Sequence, residues 1–233
     1  MVINITVPTS WQELNFKQLH YLYFLLSSGQ YDTDQVKALC IIRWGKLQPE
    51  QLESIRPEQL AAFLPVMDWI TTIPSFPVRF GEIQGHKAAY DAQLHGLEYQ
   101  NWLIIENQYQ GYLHQKDIVH LNNIASILYG ADIHLTPLEA YSVFIWIASI
   151  KQLFAQRFNN FFVPAAVNGE EDEGNIHQKL IRSMNTQIRA LTKGDITKEK
   201  EILAMDVWRA LTELDAQAEE YNEMKKIQKS HGK

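Results

Sequence analysis

Ala204-Met205-Asp206-Val207-Trp208-Arg209-Ala210-Leu211-Thr212-Glu213-Leu214-Asp215-Ala216-Gln217-Ala218-Glu219-Glu220-Tyr221 repeats apolar or small residues at steps of three and four, namely Ala204, Val207, Leu211, Leu214, Ala218 and Tyr221. Those steps place all six on one face of an α-helix. Trp208 widens the stripe to the breadth of a core-facing helix, while Glu213, Gln217, Glu220 and Glu223 mark the opposite, wet face. The pattern belongs to a longer helical run, Ile176 to Ile227, with one interruption at Lys193-Gly194-Asp195. A helix of this kind covers the body of its own protein or holds another chain. Trp208 is expected to pack against a helix at Thr136–Phe158, and the thinner stripe of Leu214, Ala218 and Tyr221 to bind a partner.

The Thr136–Phe158 helix is announced by Thr136-Pro137-Leu138-Glu139: a hydroxyl cap, proline at the first helical position and glutamate at the third. Its body is almost wholly apolar, which makes it the expected centre of the core. The most apolar window, Ala140 to Phe154, is shorter than the ~20 residues that span a bilayer and contains Lys151.

Upstream, hydroxyl caps at Thr9 and Ser10 with Glu13 predict a first helix starting near Ser10 or Asn15 and stopping at Ser27-Ser28-Gly29. A second starts at Thr33, and two short ones, Pro49–Ile55 and Pro57–Trp69, carry proline in their first turns. Pro74 to Gly96 is broken by proline and glycine. The alternation in Val78-Arg79-Phe80 and Glu82-Ile83 predicts a short strand near residues 78–90, and Val2-Ile3-Asn4-Ile5-Thr6-Val7 predicts another. Helical spacing returns at Trp102, Ile105, Tyr109 and Tyr112 and continues to Tyr129-Gly130. Gly169-Glu170-Glu171-Asp172-Glu173-Gly174 reads as a solvated acidic loop without the Asp/Asn alternation and distal glutamate of a calcium-binding hand.

The fold class expected is mainly α, a multi-helix orthogonal or bundle-like globular domain with minor short β-strands. Its parts are a helical unit over 1–75, an irregular segment with the central helices over 76–158, the acidic loop 159–175 and the long helices of 176–233; all of them can belong to one domain.

Composition narrows the function classes. A hydrophobic content of 46% with 21% charged residues is that of a chain that folds by itself. The formal net charge is -6, and Lys and Arg are scattered until the Lys-rich tail Lys225 to Lys233, so no basic surface for neutralising phosphates is evident and no nucleic-acid partner is expected. Cys40 is the only cysteine and lies in an apolar run, which rules out an internal disulfide and points to a reducing compartment. The start lacks the charged and apolar regions of a secretion signal, so a cytoplasmic protein without a membrane partner is expected.

No phosphate loop, dinucleotide fingerprint, zinc-protease helix or nucleophile elbow occurs in the chain. His114 and His120, with Asp117 between them, stand six residues apart, not the three or four that share a helix face. Asp91 and His95 have the spacing of a ligand or general-base pair if helical, and of a local surface hydrogen bond otherwise. Glu98 and Glu106 would lie ~12 Å apart on a helix, too far for paired carboxylate hydrolysis. Trp102, Tyr109 and Tyr112 read as core rather than as a stacking platform. No catalytic, metal-binding or cofactor-binding residue is assigned. The alternative to a binding protein is a metal-dependent enzyme built on the His86–His120 region, or a regulatory protein-binding module.

Several stretches resemble uncharacterised proteins of bacterial prophages in Bacteroides-type genomes: Leu97 to Trp102 running into Glu106 to Tyr112, Ile127-Leu128-Tyr129, Ala190 to Glu199, and Asp206 to Leu211. Trp11-Gln12-Glu13-Leu14 followed by Gln18-Leu19 is similar to the opening of those proteins. The resemblance implies a non-enzymatic role in virion or tail assembly, loosely like that of tail assembly chaperones, with a phage tail or head component or a second copy of the chain as partner.

Overall fold

A computed structural model describes residues 5–162 and 176–231. The fold is mainly α, with ten α-helices and no sheet among the described residues. They are α1 (Phe16–Ser28), α2 (Thr33–Trp44), α3 (Pro49–Ser54), α4 (Pro57–Phe63), α5 (Tyr99–Gln115), α6 (Ile118–Tyr129), α7 (Pro137–Arg157), α8 (Ile176–Thr192), α9 (Glu199–Leu203) and α10 (Val207–His231). The acidic run 169–174 lies outside the described residues.

Local chemistry sets most helix starts. Asn15 accepts from the Gln18 amide at 3.0 Å while Gln18 accepts from the Asn15 amide at 3.0 Å, a reciprocal box that opens α1. Asp32 and Gln35 repeat it for α2. Thr136 and Glu139 form the box expected for α7, with the Thr136 amide on Glu139 Oε2 at 2.8 Å. At the amino end the pairing differs from expectation. Glu13 accepts from the Thr9 amide at 2.7 Å instead of capping with Ser10, and Trp11–Glu13 forms only a 3-10 turn before α1. The helix expected over Pro57–Trp69 ends at Phe63, where Pro65 removes a backbone donor and the chain tightens into a 3-10 stretch, Leu64–Thr71.

Of the two strands expected, the one near residues 2–7 lies partly outside the described residues and is not formed over 5–7, and the one near 78–90 is not formed. Residues 78–90 hold only single-residue bridges at Ile83 and His86. Gly81, Gln84 and Gly85 all take positive φ there, which turns the chain too often for a ladder. The Val78 amide goes instead to the Ser149 hydroxyl at 3.2 Å, and Val78 and Phe80 are buried. Their alternation therefore reports an irregular strap with two inward side chains.

The chain divides into two compact units that interleave in sequence. The first is Met1–Gly85 with Leu135–Gln152; the second is His86–His134 with Leu153–Lys233. The segment 1–75 thus falls within the first unit, while 76–158 is shared between both. In the first unit Leu19, Leu22 and Leu25 of α1 meet Val36, Cys40, Ile41 and Trp44 of α2, with Met67, Ile70, Val78, Phe80 and Ile145 closing the cluster. Burial pushes the Cys40 thiol up to about 12, so it stays protonated and acts as a small hydrophobe. α7 is long and apolar enough to cross a bilayer, with a mean hydropathy of 1.2. Its Val143, Trp146, Ile147, Ile150 and Phe154 are buried, however, as in a core helix.

In the second unit α5 and α6 lie against each other, joined by Lys116 in the left-handed region and by Asp117, whose carboxylate accepts from the Val119 amide at 3.0 Å. Gly111 permits the approach. A Cβ there would stand 2.6 Å from the His120 ring, so only glycine leaves that ring its place. α8, α9 and α10 complete the unit. The interruption at Lys193-Gly194-Asp195 is present, with Lys193 and Gly194 at positive φ. A second break at Ala204–Asp206 separates α9 from α10 and leaves Ala204 exposed, outside the stripe.

Candidate functional site

Polar and aromatic side chains of the second unit gather around the first turn of α10. Asp206 is its cap: Oδ1 accepts from the amides of Trp208 at 2.9 Å and Arg209 at 3.3 Å, satisfying donors that a helix start leaves open. The negative charge also sits at the positive end of the helix dipole. The other oxygen accepts from the Gly96 amide at 2.7 Å, tying the turn before α5 to α10. Two backbone bonds extend that tie, Val207 N–H to Leu97 O at 2.8 Å and Tyr99 N–H to Met205 O at 2.7 Å.

Asp91 and His95 lie in the same docked turn. They are not helical; the Asp91 carboxylate folds the chain by accepting from the amides of Gln93 and His95, each at 3.0 Å, and meets His95 Nδ1 at 2.7 Å. The imidazole stacks on Trp208 with centroids 5.2 Å apart and planes 14° off parallel, and the Trp208 indole N–H donates to Gln93 O at 2.9 Å. Phe154 and Phe158, at the end of α7, meet the same indole edge-on at 5.2 and 5.7 Å. The packing expected between Trp208 and the Thr136–Phe158 helix is therefore made by its last two turns. Asp215, one turn past Leu211, accepts from the amides of Asn160 and Phe161 at 2.9 Å each and fastens the chain that leaves α7.

An imidazole oriented by a carboxylate is the arrangement of a general base. Here the pair is solvent-exposed and one ring face is covered by Trp208, so its evident work is to hold the turn. Burial pushes the Asp91 carboxyl up, but the hydrogen bonds from the His95 ring and from the His95 and Gln93 amides outweigh it and hold the carboxyl below its usual value. A group depressed in the folded state adds stability above its unfolded pKa of ~3.9 and loses it as pH falls through the lower, folded value. Asp91→Asn should thus lower stability at pH ~7, and its difference from wild type should shrink once pH drops below ~4. Denaturant titrations at both pH values check this; a difference that does not change with pH would contradict it.

The other residues of interest are scattered. His120 is held between Gln108 at 2.8 Å and Gln115 at 3.1 Å, while His114 is exposed. Glu98 lies at the start of α5 opposite Asp206, and Glu106 accepts from Gln110 at 2.8 Å. Trp102 and Tyr109 are buried, as expected of core residues, whereas Tyr112 is only half-buried. Among the described residues no three His, Cys, Asp or Glu side chains gather as a metal-binding group.

Of the three residues assigned to partner binding, Leu214 is buried, at 3% exposed. Ala218 is half-buried and Tyr221 is 61% exposed. Beyond them Met224 and Ile227 are each 56% exposed, and sequence reasoning did not single them out. Their three-residue spacing from Tyr221 was the available signal. Asp206 and Asp215 were also missed; an acid just before a periodic run was legible for Asp206, whereas the Asp215 contact spans 55 residues and was not.

Compared with family models, with curated proteins and with solved structures, the chain matches none of them.

Proposed function

We propose that this is a non-enzymatic, cytoplasmic binding protein of the phage-assembly kind, whose distal α10 receives an amphipathic helix of a partner protein. The observation that carries the reading is the change of character along one helix. Val207, Ala210, Leu211 and Leu214 are sunk in the unit, whereas Tyr221, Met224 and Ile227 stand open on the continuation. At 100° per residue these three fall within an arc of roughly 120°, the width that helix-in-groove recognition uses. Lengths agree with part of this division. α8 has 17 residues and α10 has 25, so at 1.5 Å per residue the last ~12 Å of α10, which holds Met224 and Ile227 but not Tyr221, outruns what α8 is long enough to cover. The prophage resemblance supplies the biological setting, and a tail or head component is the partner class it implies.

Co-expression with the products of neighbouring genes tests the proposal. A stable complex is expected, and the combined Tyr221→Ser, Met224→Ser and Ile227→Ser variant should lose it while keeping the wild-type melting temperature. If no product of the gene cluster co-purifies, or the triple variant binds as well as wild type, the reading is wrong.

A further inference from the structure

The first unit carries a groove of its own. It lies between α1 and the C-terminal end of α2, has a volume of ≈ 1010 Å³ and is lined by residues 15–24 and 42–48. Trp44 and Leu47 are buried in its wall, and Phe24 stands 57% exposed beside the half-buried Tyr21. The indole N–H of Trp44 is buried without a hydrogen-bond acceptor among the described residues.

The charge of the groove inverts that of the chain. Lys17, Arg43 and Lys46, all exposed, line it together with His20, and no Asp or Glu does, although acids outnumber Lys and Arg in the sequence by 27 to 21. None of the three cations has a carboxylate partner among the described residues. Lys17, His20 or Tyr21, and Phe24 follow one another at three- and four-residue steps, so a single face of α1 presents charge and aromatic surface in register.

We propose that this groove binds an acidic peptide segment that also carries an aromatic or large aliphatic side chain. The apolar anchor covers Phe24 and Leu47, and the carboxylates pair with Lys17, Arg43 and Lys46 at the rim. Single-stranded nucleic acid fits less well. Three cations neutralise only about three phosphates, and a chain of net charge -6 repels a long polyanion more than a short acidic segment. The groove lies in the first unit, so the proposal does not rest on the α10 reading.

Fluorescence anisotropy of the full chain with a short labelled peptide of Asp and Glu alternating with Leu and Phe provides the test. Binding is expected to weaken as salt rises, to be absent for the same peptide with lysine in place of the acids, and to fall about tenfold in the combined Lys17→Glu, Arg43→Glu and Lys46→Glu variant. Phe24→Ser should weaken binding without altering its salt dependence. Should the triple variant melt early, single Arg43→Gln is read by the same criterion, a loss of affinity at unchanged melting temperature. Equal affinity of a folded charge variant for the acidic peptide, no binding of that peptide, or tighter binding of labelled oligothymidylate would each overturn the proposal.

Discussion

Trp208→Ala is expected to destabilise the protein by about 3 kcal/mol, the lower end of the range for truncating a large aromatic, because the indole is half-buried rather than sunk. The loss has several sources. The ring supports Phe154 and Phe158, carries the stacked His95, and spends its N–H on Gln93 O at 2.9 Å. Truncation therefore opens a cavity, leaves a carbonyl to find water and frees the turn that Asp206 and Asp91 shape. Trp208→Phe separates these contributions, since it retains most of the aromatic packing and should cost about 1 kcal/mol for the lost hydrogen bond. Thermal or urea melts report both. An unchanged melting temperature for Trp208→Ala would mean that this helix face does not secure the second unit.

In the first unit the corresponding anchor is Trp11, for which Trp11→Ala should cost about 3–5 kcal/mol. Trp11 is buried, meets Trp69 edge-on at 5.5 Å, and donates one N–H to two carbonyls, Trp69 O at 2.9 Å and Thr72 O at 3.0 Å. Those carbonyls close the 3-10 stretch forced by Pro65, so the indole acts as a pin between the amino end and residues 69–72. Trp11→Phe should cost about 1–2 kcal/mol, from the shared hydrogen bond alone. A Trp11→Ala protein that melts with the wild type would refute this role.

What was legible in the sequence follows the range of the interactions. Thr136-Pro137-Leu138-Glu139 was read correctly because every partner in that cap lies within three residues. Val207 and Leu211 were placed on one face with Trp208 because helical period is itself local, and they are buried, whereas Leu214, assigned to partner binding, is buried with them. Ala204 was placed there wrongly, since the small-residue step continued through a break that Asp206 enforces by capping a new helix. Val78-Arg79-Phe80 misled for a related reason: alternation reports which side chains turn inward, and a strap with left-handed turns satisfies it without a partner strand. The dock itself was out of reach. Trp208 finds Gln93 across 115 residues and Gly96 finds Asp206 across 110, and no local pattern encodes either pairing. The cationic groove was hidden likewise, because Lys17 lies on α1 and Arg43 and Lys46 near the end of α2, and no local pattern shows that these two short, distant segments meet.

The division of α10 into a packed half and an open half is tested most directly by native-state amide hydrogen exchange along that helix in the free protein. Amides from Ala210 to Leu214 should exchange only through global unfolding, while those beyond Ala218 should exchange through local opening and become protected when a partner is bound. Uniform protection of the whole helix in the free protein would contradict the account, because it would make Tyr221, Met224 and Ile227 part of the protein's own folded core.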